Sequence, residues 1–203
     1  MSYPEIEKRF KAETADHEMT VLHADGLYRH LRFRAPDTGF YWFDLITWPG
    51  KLAFVGDGTG LTFARVEDMF TFFRNPQYGI NPVYWSEKLV TDRDSVKTFS
   101  AAKFTKRVAE ALTWAEETFP GVTAAWAEHT EDHDTEYEVN AREALDDFTF
   151  RPDGADYRSK PFTFTDTLEW DLRDYDWWFL WACHAIVWGI GQYDASKSAL
   201  VDA

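Results

Sequence analysis

MTVLHADGLYRHLRFRAPDTGFYWFDLITWPGKLAFVGDGTGLTFARV, residues 19–66, decides the fold. Five β-rich runs (MTVLH, LYRHLRFR, FYWFDLITW, KLAFVG and LTFARV) are separated by ADG, APDTG, PG and DGTG, compositions that reverse a chain. Connections this short join antiparallel neighbours, so residues 19–64 predict one antiparallel meander sheet. The glycine-rich DGTG lies between two β runs and not ahead of a helix. It reads as a hairpin turn, not a phosphate loop.

Outward from the sheet, periodicity changes from two to three-and-four. Pro4, Ile6 and Phe10 predict a short amphipathic helix at the start. Residues 66–74, VEDMFTFFR, predict another, and NPQYGINP at 75–82 breaks it. Ser100 is a natural N-cap for a helix carrying Phe104, Val108, Leu112, Ala115 and Phe119, which Pro120 ends. Val122, Trp126, His129, His133, Tyr137, Ala141, Ala144 and Phe148 fall on one helical face. One long helix, or two joined near Asp132, satisfies that pattern. After a polar stretch from Arg151 to Pro161 comes FTFTDTLEW and then the apolar run WWFLWACHAIVWGIGQY at 177–193.

That run sits at the lower limit for spanning a bilayer, where about 20 residues are usual. It contains His184 and Gln192, and Asp174, Asp176 and Asp194 flank it with no basic cluster to orient it. It therefore reads as a helix buried at the centre of a globular domain. The expected architecture is a single α+β domain over residues 1–203: an antiparallel sheet covered on one face by helices, with a buried C-terminal helix.

Composition narrows the function classes. Lys and Arg number 21 against 35 Asp and Glu, a formal charge of −14, so direct binding to a nucleic-acid backbone is disfavoured. Aromatic residues make up 18% of the chain, enough to supply a pocket wall or a partner-binding patch, and a homo-oligomer is a further expectation. The single cysteine, Cys183, allows neither an intramolecular disulfide nor a cysteine zinc cage. The N-terminal residues lack the apolar core of a secretory signal, so the expected location is the cytoplasm.

The candidate site is set by strand parity. In the second run His30, Arg32 and Arg34 point to one side while Leu31 and Phe33 point to the other. With the APDTG turn, Phe40, Trp42 and Asp44 join the face of the basic stripe. Guanidinium groups beside aromatic rings suit a small anion such as a nucleotide, through bidentate contacts to phosphate and stacking of the base. His30, Arg32, Arg34, Trp42 and Asp44 are thus the candidate ligand-binding residues.

A second, weaker candidate is EHTEDHDTE. His129 and His133 are four residues apart, a spacing that suits zinc if a third ligand arrives from elsewhere. It is not the HExxH of zinc proteases, because Glu131 is out of place. His184, in the apolar helix, is expected to bond a buried partner, and Cys183 beside it to be buried and inert. Signatures of P-loop, dinucleotide-binding and serine hydrolase chemistry are absent, and no cofactor is indicated.

The succession GLYRHLRF, FDLITWPG, the glycine turn and DMFTFFR, with WACHAIVWGIGQYD at residues 181–194, resembles a family of uncharacterised bacteriophage and prophage proteins. The resemblance implies a phage accessory protein at work in the bacterial host cytoplasm, and it transfers no catalytic residue. The expectation is a non-catalytic counter-defence binder that sequesters a host defence protein or a small nucleotide signal. Two alternatives stand beside it. One is a metal-dependent hydrolase with His129 and His133 as ligands and a nearby Asp or Glu as base. The other is an acidic mimic of DNA.

Overall fold

The computed structural model describes residues 3–74 and 79–201. Part of the expected 75–82 break, residues 75–78, lies outside them. The fold is α+β, with the chain divided into two compact units: Met1–Val96 with Tyr175–Ala203, and Lys97–Asp174.

In the first unit β1 (Glu18–Asp25), β2 (Tyr28–Arg34), β3 (Phe43–Trp48), β4 (Lys51–Gly56) and β5 (Gly60–Ala64) form one sheet in sequence order. Every neighbouring pair is antiparallel, as the short turns require. β1 carries an irregularity between Val21 and His23, which blunts this edge of the sheet. At the other edge, Leu89 bridges Phe63.

One face of the sheet is largely apolar, with Arg29 and Thr47 buried at its margin. Leu31 and Phe33 of β2, Phe43 and Leu45 of β3, Leu52 and Phe54 of β4 and Phe63 of β5 are at most 1% exposed. α7 (Trp177–Val201) belongs to the same hydrophobic cluster through Phe179, Leu180, Trp181, Ala182, Cys183, Ala185, Ile186 and Ile190. α1 (Tyr3–Glu13) adds Ile6 and Phe10, and α2 (Met69–Phe73) adds Met69, Phe70 and Phe73. The 177–193 run is therefore core. No helix among the described residues is long and apolar enough to cross a membrane.

Two glycines set how closely α7 approaches. A Cβ at Gly189 would lie 2.8 Å from Leu45 and 3.1 Å from Phe33, so a larger residue here requires those side chains or the helix to shift. A Cβ at Gly58, in the β4–β5 turn, would lie 2.0 Å from the indole of Trp178.

α2 is shorter than the 66–74 pattern because Asp68 caps it. The Asp68 carboxylate accepts from Phe70 N–H at 3.0 Å and from both terminal nitrogens of Arg29 at 2.9 and 3.2 Å. A helix absent from the sequence reading, α3 (Pro82–Ser86), is capped by Asn81, whose side chain accepts from Tyr84 N–H.

The second unit holds β6 (Lys97–Phe99), α4 (Ala101–Ala115), α5 (Val122–His129), α6 (Glu138–Asp147) and the first two residues of the ladder partner β7 (Arg173–Tyr175). Ser100 caps α4 by accepting from Lys103 N–H, as expected. The 122–148 pattern resolves into two helices, with residues 130–137 turning between them. Their shared face still packs: Val122, Trp126, Ala141, Ala144, Leu145 and Phe148 form a core with Phe104, Val108 and Leu112.

Gly58→Ala is expected to destabilise the protein by about 1–3 kcal/mol, the range for overpacking a filled site. The check is the urea midpoint at unchanged slope. An unaltered midpoint would mean that Trp178 has room to move off the turn.

Candidate functional site

The β2 parity is as the alternation requires. Leu31 and Phe33 are 0% exposed on the covered face, whereas His30, Arg32 and Arg34 share the other. Arg32 stands opposite Asp44 in the β2–β3 register, so the shortest cross-strand approach brings a cation against a carboxylate.

Asp44 is the hub. It accepts from Arg32 Nε and Nη2, both at 2.8 Å, and lies 2.8 Å from His30 Nε2. Only 4% of Asp44 is exposed, because these two side chains roof it. Burial pushes its carboxyl up, but the hydrogen bonds and charges of Arg32 and His30 outweigh burial and hold it below its ordinary 3.8. The same bond raises the Arg32 guanidinium.

Arg34, one pleat further on, is exposed and makes no ion pair or hydrogen bond among the described residues. Beside it opens a pocket of about 260 Å³ lined by Arg32, Arg34, Thr38, Gly39 and Trp42. The Arg32 guanidinium carbon lies 5.7 Å from the Trp42 ring centre. The sequence-derived residues are thus brought together with distinct duties. Arg32 and His30 are occupied by Asp44, while Arg34 and the Trp42 ring face open space.

Phe40 departs from expectation. The third strand begins at Phe43, not at Phe40, and Phe40 is 71% exposed in the preceding loop, outside the pocket lining. The cause is Tyr41, whose φ of 56° places a bulky residue in the left-handed region and ends the strand. Such a conformation costs about 1–3 kcal/mol and persists only where surroundings hold it.

Four contacts hold it here. Tyr41 N–H donates to Asp57 Oδ2 at 3.3 Å, and the Tyr41 carbonyl accepts from His17 Nε2 at 3.0 Å. Asp57 N–H donates to the Trp42 carbonyl at 3.2 Å. The Tyr41 ring packs on Trp181, with centres 6.0 Å apart. Trp42 is therefore aimed at the pocket by the residue before it. Sequence reasoning missed Tyr41, Asp57 and Thr38, since only glycine, Asn or Asp would have signalled a left-handed residue.

Comparison with family models, curated proteins and solved structures finds no match.

The histidine pair gathers no third ligand among the described residues. His129 and His133 rings stand 4.8 Å apart, but His129 Nε2 donates to the Ala144 carbonyl at 3.1 Å and His133 Nδ1 to the His129 carbonyl at 2.9 Å. Among the described residues no three His, Cys, Asp or Glu side chains gather to hold an ion. The pair instead closes the α5–α6 turn.

His184 is a second correction. Its Nε2 is buried with no hydrogen-bond partner among the described residues, and the ring lies near-parallel to Phe10 at 6.1 Å. Burial lowers its pKa, because desolvation disfavours the charged imidazolium. Cys183 is fully buried, and desolvation raises its thiol well above the ordinary value.

Because the folded Asp44 pKa is lowered, its stabilising contribution is present above about pH 3.8 and is lost as pH falls through the folded value. Stepped-pH urea unfolding should show part of the acid loss missing in Asp44→Asn. Identical acid limbs in the two proteins would show that the hub carries no such linkage.

Proposed function

We propose that the chain is a non-catalytic binding protein whose β2–β3 pocket takes a small molecule with one planar ring and one anionic group, a nucleoside monophosphate being the simplest example. The observation that carries the reading is the pairing of an uncommitted guanidinium, Arg34, with an open indole, Trp42, across one small cavity. Stacking on the indole is worth about 1–3 kcal/mol per base, and a charge-assisted hydrogen bond about 1.5–3 kcal/mol.

Charge and size limit the ligand. Asp44 already neutralises Arg32, and the chain carries −14, so a triphosphate or a polynucleotide meets a repulsive field with Arg34 as the single free cation among the described residues that line the pocket. A cavity of about 260 Å³ lies below the roughly 300–1,000 Å³ of drug-sized pockets, which favours one ring over two. In the phage setting that the sequence resemblance implies, such a binder would act by sequestering a small nucleotide signal of host defence.

A second reading has its own support. Residues 128–147 carry nine carboxylates against one cation, Arg142, and eight of the nine are exposed. A surface of this kind favours a basic protein partner, as an acidic mimic of DNA would, and such binding weakens as salt rises.

Calorimetry with AMP, GMP, CMP and UMP tests the pocket. At least one should bind, with Arg34→Ala and Trp42→Ala each weakening it by about tenfold or more. Asp44→Asn, which frees the Arg32 guanidinium, should tighten it. No binding by any of the four, or equal binding by Arg34→Ala, contradicts the reading.

A further inference from the structure

A different groove, wholly within Lys97–Asp174, is built for a peptide. One wall is α4, which presents Arg107, Ala111 and Trp114 at helical spacing on one face. The opposite wall is the segment Thr163–Thr165, with Trp170 at one end, and the space between measures about 410 Å³.

The segment's main chain is unspent. Phe162 donates to the Phe150 carbonyl at 2.8 Å and accepts from Phe150 N–H at 3.0 Å. In an antiparallel pair both main-chain groups of such a residue face its partner, so those of Thr163 face away, and those of Thr165 repeat that direction. Exposure alternates accordingly: Phe162 and Phe164 are half-buried, and Thr163 and Thr165 are exposed. Among the described residues nothing hydrogen-bonds the main chain of Thr163, Phe164 or Thr165.

The helix wall supplies complementary chemistry. Trp114 is 85% exposed, an unusual place for the largest apolar side chain. The Arg107 guanidinium carbon lies 4.5 Å from the centre of the Trp170 ring. That stacking fixes the cation while leaving its donors unpaired with any carboxylate among the described residues. This is notable in a unit of 18 acidic and 9 basic side chains, where a partner is easily found.

We infer that this groove binds an extended peptide segment of a partner protein, added as a strand along Thr163–Thr165, with one carboxylate meeting Arg107 and an apolar side chain on Trp114. Free main-chain donors and acceptors at strand spacing are satisfied by another strand, and side-chain pockets then choose the sequence. The surplus of acidic groups in the unit limits the occupant to a single carboxylate among neutral or basic residues, since an acidic tract would be repelled.

The probe is a set of end-blocked pentapeptides, each with one Glu moved through a Val, Thr and Tyr background. Their binding to the whole chain is read by fluorescence polarisation. At least one should bind. Replacing its Glu by Gln should weaken it about tenfold, and N-methylation at the residue opposite Thr163 should weaken it at least as much. Arg107→Ala should erase the preference for Glu over Gln. Because the N-methyl and Gln peptides use the unaltered protein, the test survives a variant that does not fold. Arg34→Ala should leave peptide binding unchanged, which keeps this result separate from that of the nucleotide pocket. No binding by any peptide, undiminished binding by the N-methylated form, or a Glu preference that persists in folded Arg107→Ala would each overturn the inference.

Discussion

Arg32 and Asp44 face each other across two antiparallel strands, and the outer side of the sheet is organised by that pairing. A carboxylate only 4% exposed is tolerable because a bidentate guanidinium and an imidazole satisfy it. Had Asp44 stood one position along, it would have entered the covered face among Phe43, Leu45 and Phe33, where the buried cation Arg29 is already paired with Asp68. Register and charge therefore support each other. The hydrophobic alternation fixes which residues look outward, and the ion pair then fixes which of the outward cations stays free.

Much of this was legible in the sequence. Alternation in LYRHLRFR separates His30, Arg32 and Arg34 from Leu31 and Phe33, and turn chemistry dictates the meander. Both rest on short-range rules that need no tertiary information. The apolar run 177–193 could be read as core because its histidine, its glutamine and its acidic flanks argue against lipid. What the face would do was only half legible. Placing Asp44 with the cations predicts a shared surface, but the register that sets Asp44 directly against Arg32 depends on where the third strand begins. Tyr41 moves that start by three residues.

Tyr41 also shows why the rest was silent. Its left-handed backbone is held by Asp57, His17 and the Trp181 ring, which are 16, 24 and 140 residues away, so no local pattern records it. The division of the chain is equally unmarked. Val96–Lys97 and Asp174–Tyr175 carry no glycine or serine linker, and the chain leaves and re-enters the first unit through short strands. The hydrogen bonds of the histidine pair were silent in the sequence for a related reason. Helical spacing gives two imidazoles a common side, but Ala144 and His129 carbonyls, brought in by the α5–α6 turn, take up one N–H from each.

The central claim is that Asp44 occupies Arg32 and thereby leaves Arg34, beside Trp42, as the group that meets an anion. Nitrogen-detected NMR of the guanidinium groups during AMP addition tests it most directly. The account predicts that the Arg34 Nε–H resonance moves with saturation while Arg32 keeps its shift. Movement of Arg32 with Arg34 unchanged, or no change at either, would contradict it.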